Sequence, residues 1–440
     1  MDSLDVLVDG KLIGTLYNKE PLTFSYSEDC LSGLLHNPFA NVIPLESGEI
    51  ATPSVFAYFE NLLPEGDQRL ALQERHHVST VFGLLSEAGW DTAGSIVLKP
   101  TNSTNQEYSY IKKSWTDISK IISGHESSSI LPKVSISGAQ YKLLLSLDSD
   151  KNPLLPVGST PSTHILKPDI KREGQKIWAS ATNETIVMLM AKECGLPVAN
   201  VEYIKSVKSC LVQRYDRSLD VDGKITRIGQ SDICQLLKKP SSVKYENEGG
   251  PTFSECYLHI KHSSKNPALD CENLVKWLFF NLYTGNNDSH AKNISMIQDG
   301  NGYKLALFYD LMCTSVYPGF SNNFAFKIGN TFKPGEIDNK QLIALASEIS
   351  ISEKFIIKIA DDMAKKIIPA MENSIFKIYP KLGHSEKALV EKLIYEISST
   401  CKKRVAKFLD VIPSDEVTKE RSMRLRSFIQ SLNRKQDFTL

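Results

Sequence analysis

The alternation of apolar and polar residues at the start of the chain predicts a β-hairpin. Residues 4–17 alternate on either side of the pair Asp9-Gly10, and an Asp-Gly pair between two such runs is a strong signal for a tight turn. Short strands at residues 22–26 and 95–98, with helices between them, complete the pattern. This region is therefore expected to form a small α/β unit of roughly one hundred residues, a typical domain size.

The strand pattern continues to about residue 217 and then gives way to helical spacing. Strands are predicted at residues 163–168, 198–204 and 209–215, and a helix at residues 183–194. Gly195 and Pro197 follow that helix, as expected for its C-terminal end. Beyond residue 217, apolar side chains recur at helical spacing, for example within residues 355–367 and 389–401. The chain is therefore expected to have a β-rich half and a mainly helical half.

Composition and charge narrow the compartment and the class of partner. Lysine plus arginine equals aspartate plus glutamate, 51 each, so no overall basic charge indicates nucleic-acid binding. The eight cysteines form no Cys-x-x-Cys pair and lie mostly in apolar surroundings, which indicates reduced core side chains. The amino terminus does not have the apolar core of a signal peptide, and no apolar run is long enough for a bilayer. These features predict a cytoplasmic protein without membrane association.

The end of the chain carries one local concentration of basic charge. Residues 418–435 contain lysines and arginines against the single acid Glu420. A solvated helix face is the favoured interpretation, and contact with DNA phosphates in an assembly is the alternative.

The candidate chemistry lies in residues 285–310. Asp288, His290 and Asn293 have the spacing Asp-x-His-x-x-Asn, and Asp310 ends an apolar strand after a turn. Kinases present a base and two Mg²⁺ ligands in this order. Asp288 could deprotonate an attacking hydroxyl, while Asn293 and Asp310 could bind Mg²⁺, since a cation that keeps several waters needs few protein oxygens. The order therefore indicates phosphoryl transfer from ATP.

A plainer interpretation of this stretch is an ordinary polar loop, because asparagine, aspartate, serine and glycine all favour turns. The flanks favour the catalytic interpretation. Residues 273–283 are a nearly apolar helix and residues 304–309 an apolar strand. A polar loop between two buried elements is held rigidly, as a catalytic site requires.

Two features upstream suit a nucleotide site. Lys167 closes an apolar strand, from which a lysine can reach the ATP phosphates, although a strand-end lysine with its amine in solvent is the alternative. Gly138-Ala139 forms a turn of small residues whose N–H groups could approach a phosphate, although a plain hairpin turn is the simpler interpretation. Glu184, in the first turn of its predicted helix, is expected to interact with the helix dipole, with pairing to Lys167 as the alternative.

Several segments together resemble the HipA-type serine/threonine kinases, the toxin halves of bacterial toxin–antitoxin pairs. They are SISGAQYK, THILKP, LVQRYDR, DICQLLKKPSSVKYENEGGP, GNNDSHAKN and LFYD, with FENLLPEG and FGLLSEAGWDTAGSIVL in the N-terminal region. The resemblance covers nearly the whole chain. It implies an α+β, two-lobed protein-kinase-like fold with a β-rich N-terminal lobe, an added small α/β subdomain and an all-helical C-terminal lobe. The expected ranges are 1–104 for the subdomain, 105–217 for the N-lobe and 218–440 for the C-lobe.

The resemblance also implies roles for individual residues. Asp288 would be the catalytic base, with His290 beside the transferring phosphoryl group. Asn293 and Asp310 would bind Mg²⁺, and Lys167 would hold the phosphates of ATP.

Further positions are implied around the nucleotide. Gly138, Ala139 and Gln140 would belong to the phosphate loop. Gln213 and Tyr215 match the hinge of the family, where backbone atoms meet the adenine.

The resemblance finally implies regulation and partners. Ser135 matches the serine that such kinases phosphorylate on themselves, and Ser137 is a second candidate. A helix-turn-helix antitoxin of the HipB type is the expected partner, with operator DNA bound mainly through it. The expected substrate is an aminoacyl-tRNA synthetase, whose phosphorylation would inhibit translation. The alternatives are a small-molecule or lipid kinase, since phosphoinositide kinases share the catalytic spacing, and a co-repressor scaffold without catalysis.

Overall fold

The structure is a computed structural model that describes residues 2–103, 107–124, 140–172, 174, 176–219, 224–409, 427 and 430. Four expected site residues lie outside the described residues: Ser135, Ser137, Gly138 and Ala139. The basic segment 418–435 also lies outside them, apart from residues 427 and 430.

The N-terminal region forms a four-stranded antiparallel sheet with short helices. Its elements are β1 (Ser3–Val8), β2 (Lys11–Tyr17), β3 (Thr23–Tyr26), α1 (Glu28–Leu31), α2 (Pro53–Glu60), α3 (Gly66–His76), α4 (Val81–Ala88) and β4 (Ile96–Pro100), with strand order β3-β2-β1-β4. At the β1–β2 turn, Asp9 and Gly10 both have positive φ, 51° and 77°, as a two-residue hairpin turn of this type requires. The expected hairpin and α/β unit are confirmed.

A second antiparallel sheet has six strands and carries a helix on each side. Its elements are β5 (Tyr110–Lys112), α5 (Trp115–Ser123), β6 (Leu143–Leu147), β7 (Pro153–Pro156), β8 (His164–Lys167), α6 (Ser180–Glu193), β9 (Val201–Ile204) and β10 (Ser209–Gln213), in the order β5-β7-β6-β8-β10-β9. Ile118 and Ile121 of α5 pack in a small core with Leu143 and Leu145 of β6. Helix α6 packs on β9 and β10 and belongs to the main core.

The remaining region is mainly helical but contains a small sheet. Its elements are β11 (Arg217–Leu219), β12 (Ile225–Arg227), β13 (Gln230–Asp232), α7 (Ile233–Leu236), α8 (Phe253–Ser263), α9 (Pro267–Thr284), β14 (Ser295–Asp299), β15 (Gly302–Leu305), α10 (Asn339–Glu348), α11 (Glu353–Ile378) and α12 (His384–Phe408). Strands β13, β14 and β15 pair in that order. The expectation of an all-helical C-terminal lobe is therefore wrong. The strand expected at residues 304–309 overlaps β15 but ends later than β15 does, whereas β13 and β14 carry too few positions for an alternating pattern to be visible.

Helix α9 lies at the centre of the largest core. Its side chains Trp277, Phe279, Phe280 and Tyr283 are fully buried, and it packs against α8, α11 and α12. Among the described residues, one hydrophobic cluster extends from Leu4 to Phe408. No helix in the same ranges combines the length and apolarity needed to cross a bilayer.

A buried ionic cluster joins the N-terminal region to the chain that follows β10. Asp91 is fully buried, and its Oδ1 accepts from Arg217 Nη2 at 2.9 Å and lies 3.5 Å from Arg214 Nη1. Asp216 pairs with both arginines. Because Arg214 and Asp216 also line the cleft described below, the cluster fixes the chain at one end of that cleft.

Asp91→Asn is expected to lower the free energy of unfolding by about 3–5 kcal/mol, because it removes one of two carboxylates that pair with the buried charges of Arg214 and Arg217. Urea unfolding followed by circular dichroism measures this change. Asp2→Asn, at an exposed position, is the matched control. A loss below about 1 kcal/mol would mean that Asp216 alone compensates the arginines.

Candidate active site

The expected site residues within the described ranges line one cleft. Its empty volume, counted out to the mouth, is about 1410 Å³. These residues are Gln140, Lys167, Gln213, Tyr215, Asp288, His290, Asn293 and Asp310. The cleft therefore brings together side chains from β8, the chain after β10, the loop after α9 and the chain after β15.

The loop after α9 is fixed by its first and last residues. Gly285 ends the helix with a φ of 70°, and a Cβ there would lie 2.2 Å from Ser315 Oγ, so the position requires glycine. At the other end, Asn293 Nδ2 donates a hydrogen bond to the backbone oxygen of Asp288 at 2.9 Å. This bond fixes the position of Asn293, the expected metal ligand, relative to Asp288, the expected base.

Lys167 joins two acids in the cleft. Its Nζ donates to Glu184 Oε1 at 2.5 Å and to Asp310 Oδ1 at 2.8 Å. The expectation that Glu184 interacts mainly with the helix dipole is wrong, and its alternative is correct. Helix α6 begins at Ser180, so Glu184 lies beyond the first turn, and its side chain is 1% exposed. A buried carboxylate needs a counter-ion, which Lys167 supplies.

The same contacts set the charges in the cleft. Burial favours the neutral form of Asp310, but Lys167 and Lys142 outweigh it and hold the pKa of that carboxyl well below its usual range. Burial also opposes the charge of Lys167, but Asp310 and Glu184 outweigh it and raise its pKa. Both groups are therefore charged at neutral pH. Asp310 has a φ of 58°, a left-handed conformation that aspartate tolerates better than most residues.

The oxygen donors of Asn293 and Asp310 suit a hard cation such as Mg²⁺. Since the amide nitrogen of Asn293 donates to Asp288, its oxygen is the atom that would bind the ion. The described ranges contain no cluster of three or more histidine, cysteine or acidic side chains suited to a metal.

Two aromatic rings pack against each other beside Asp288. The hydroxyl of Tyr245 donates a hydrogen bond to Asp288 Oδ1, and its ring meets that of His290 edge-on, with centroids 5.0 Å apart. Burial, followed by the charge of Lys244, lowers the pKa of His290 to about 4. His290 is therefore neutral at pH 7, and it can donate a hydrogen bond without adding charge.

The other expected nucleotide residues lie along the walls of the cleft. Gln213 is exposed, its backbone N–H donates to Asn200 at 2.9 Å, and its side chain accepts from Asn200 at 3.1 Å. The ring of Tyr215 lies 6.0 Å from that of Tyr309. Gln140 donates to the backbone oxygen of Pro168 at 3.2 Å, beside Lys167.

The cleft also contains polar residues that the expected set did not include: Asn61, Glu65, Lys142, Lys244, Tyr245 and Lys292. All line its wall except Tyr245, which reaches it through Asp288. Their segments, FENLLPEG and PSSVKYE among them, belonged to the family resemblance. The sequence signal that could have identified these residues is the presence of charged side chains inside otherwise apolar or turn-forming runs.

Two family models match the chain. The HipA N-terminal domain matches residues 4–99, and the HipA-like C-terminal domain matches residues 134–371, more than half of the chain. The chain belongs to the HipA family. The resemblance expected from the sequence is thereby confirmed.

Relatives of this HipA-family chain are named kinases. A putative kinase, Y4mE, of Sinorhizobium fredii is 33% identical over 392 residues, which cover 84% of this chain and 92% of the relative. The serine/threonine-protein kinase toxin HipA of Shewanella oneidensis is 27% identical over 401 residues, with coverages of 86% and 90%. The expected class of enzyme, a serine/threonine kinase, is confirmed.

A solved HipA structure has the same fold. It comes from the complex of HipA, HipB and operator DNA of Shewanella oneidensis, with a TM-score of 0.79 and 26% identity. The match covers 94% of this chain and all of that one. The mixed α/β fold is therefore that of HipA.

Proposed function

We propose that this HipA-family kinase transfers phosphate from ATP, with Mg²⁺, to serine or threonine of a protein, as the toxin of a toxin–antitoxin pair. The observation that carries the proposal is the position of Lys167, which joins Glu184 and Asp310 in one cleft. Asp288 and Asn293 line the same cleft. A lysine held by a helix glutamate, with two metal ligands and a base nearby, is the set that phosphoryl transfer requires.

The acceptor hydroxyl would meet Asp288. A general base must lie within hydrogen-bond reach of the proton that it takes, and Asp288 already accepts such a bond from Tyr245. His290, neutral and buried, would donate a hydrogen bond to the group in transfer. Asp288 would thus orient the acceptor and receive its proton, while His290 would bind the group in transfer.

The nucleotide would lie in the cleft between the six-stranded sheet and the sheet of β13, β14 and β15. Lys167, oriented by Glu184, would bind its phosphates, and Gln140 would flank them. The backbone at Gln213 and Tyr215 would contact the adenine. Asn293 and Asp310 would hold Mg²⁺, which would neutralise phosphate charge when bound.

The division of the chain is part of the same proposal. Residues 1–104 would form the added subdomain, 105–217 a β-rich lobe and 218–440 a mainly helical lobe, with the nucleotide between the lobes. The ranges of the two family models, 4–99 and 134–371, support the first boundary.

Partners and regulation follow from the family. The HipA relative solved with HipB and operator DNA supports a HipB-like antitoxin for this chain, with DNA bound mainly through it. We propose an aminoacyl-tRNA synthetase as the substrate, which would inhibit translation, and autophosphorylation at Ser135 or Ser137. A phosphoserine carries about −1.5 to −2 charges and would weaken ATP binding beside the phosphate loop. The cytoplasmic location stays a prediction from the sequence.

Labelled ATP separates a protein kinase from the alternatives. The purified protein, incubated with Mg²⁺, γ-labelled ATP and cell lysate, is expected to label at least one protein band, and EDTA is expected to abolish the label. Label found only in small molecules would support a lipid or metabolite kinase. No transfer, with the antitoxin still bound, would support a co-repressor scaffold instead.

A further inference from the structure

Buried polar contacts join residues 60–65, between α2 and α3, to the loop at residues 239–250. Glu60 accepts hydrogen bonds from the backbone N–H and the hydroxyl of Ser241, at 2.9 and 2.7 Å. Asn61 Nδ2 donates to the backbone oxygen of Lys239 at 2.8 Å. The N-terminal region thus holds the start of the loop that carries Tyr245.

Glu65 lies between this loop and the catalytic loop. Its Oε2 accepts from Lys244 Nζ at 2.7 Å, and its Oε1 lies 3.3 Å from Lys292 Nζ. Lys244 directly precedes Tyr245, and Lys292 directly precedes Asn293. The carboxylate of Glu65 therefore contacts the residues directly before Tyr245 and Asn293, and both of these bond to Asp288.

The charge of Glu65 is maintained although the side chain is buried. Burial opposes it, but Lys292 and Lys244 outweigh the burial and lower the pKa of Glu65 to about 2. The charge of Glu65 acts in turn on Lys142. Glu65 is therefore an anion inside the cleft at neutral pH, where a pair with good geometry is needed to hold it.

The two lysines depend on Glu65 to different degrees. Lys292 also donates to Asn61 Oδ1 at 2.5 Å and lies 3.5 Å from Asp232 Oδ2. Lys244 is held by Glu65 and lies over the ring of Tyr245, 5.4 Å from its centroid. Loss of the Glu65 charge should therefore loosen Lys244 and Tyr245 more than the catalytic loop.

We propose that Glu65 is a positioning residue of the kinase reaction, which acts through Lys244 and Tyr245 on the carboxylate of Asp288. The inference rests on the proposed function. It makes the N-terminal region a part of the catalytic apparatus, because Glu65 fixes the tyrosine that orients the base.

Glu65→Gln tests the proposal, because glutamine keeps the shape and removes the charge. We expect kcat for protein phosphorylation to fall about tenfold, the effect of weakening a charged hydrogen bond near the reacting group. KM for ATP should stay within about twofold, since Lys167 and Asp310 keep their contacts. Glu49→Gln is the control: Glu49 forms an exposed pair with Lys19 in the same region, at 2.6 Å, and its loss should change neither constant.

The split between the constants decides the role of Glu65. A higher KM for ATP at unchanged kcat would make Glu65 a nucleotide-binding residue and overturn the proposal, as would two unchanged constants. Lys244→Met removes the other partner of the same bond and is expected to lower kcat similarly. If Glu65→Gln does not fold, Lys244→Met tests the proposal in its place. An unchanged kcat in Lys244→Met would overturn the proposal.

Hydrogen–deuterium exchange separates this inference from the proposed function. In Glu65→Gln, but not in Glu49→Gln, amides of residues 244–248 should exchange faster. A wild-type protein without transfer activity would overturn the proposed function, and the exchange comparison would still test Glu65. Unchanged exchange in residues 244–248 would overturn the positioning role.

Discussion

Asp288→Asn is expected to lower the rate of phosphoryl transfer by about 10²–10⁴-fold, the usual contribution of a positioned general base. The amide cannot take the proton of the acceptor hydroxyl. It also keeps the size of the carboxylate, and the hydrogen bond from Asn293 Nδ2 goes to the backbone of residue 288, so the loop should keep its shape. Single-turnover transfer from labelled ATP to protein measures the effect.

Nucleotide binding provides the control for this substitution. The affinity for Mg-ATP should change by less than about threefold, since Lys167 and Asp310 remain paired. Asp299→Asn, at the end of β14, where the side chain is 42% exposed, should leave transfer intact. Full transfer by Asp288→Asn would assign the base to another group.

Lys167→Met is expected to have the second large effect, on both nucleotide binding and folding. Glu184 would remain buried without its counter-ion, and breaking such a pair costs about 3–5 kcal/mol of unfolding free energy. The loss of a charged contact to the phosphates should weaken ATP binding by about 10–150-fold. Isothermal titration with Mg-ATP and urea unfolding measure the two effects separately.

The pair itself can be tested from its other side. Glu184→Gln should weaken ATP binding less than Lys167→Met, because Asp310 still holds the lysine at 2.8 Å. Lys354→Met, at an exposed position on α11, is the matched control and should change neither quantity. Wild-type affinity for ATP in Lys167→Met would remove this lysine from the nucleotide site.

The site residues that could be predicted from the sequence are those whose expected roles follow from their order and spacing within a short segment. Asp288, His290 and Asn293 lie within one loop. The apolar helix before the loop is buried as expected, whereas the flank at residues 304–309 is buried at Leu305 and Phe308 but exposed at Leu307. Lys167 ends a predicted strand and Asp310 ends an apolar run, so the sequence pattern predicted that both lie where a buried segment ends. Their convergence in one cleft could then be expected from the order of kinase elements.

The other residues of the site depend on contacts between distant parts of the chain, which no local sequence pattern indicates. Tyr245 lay in a segment that the sequence analysis used only for the family resemblance, and its bond to Asp288 depends on how that segment packs. Glu65 forms an ion pair with Lys244, which lies 179 residues later in the sequence. Glu184 was misassigned because the start of α6 was placed three residues too late, and helix ends are the least certain part of a sequence-based assignment.

The central helix α9 has a consequence for synthesis on the ribosome. Phe408, at the end of α12, covers Phe279 and Tyr283, with ring centroids 6.0 and 5.7 Å away. Helix α9 leads directly into the loop of Asp288, so the helix that supports this loop is fully packed only after α12 has been synthesised. The candidate active site of this kinase is therefore completed late in synthesis.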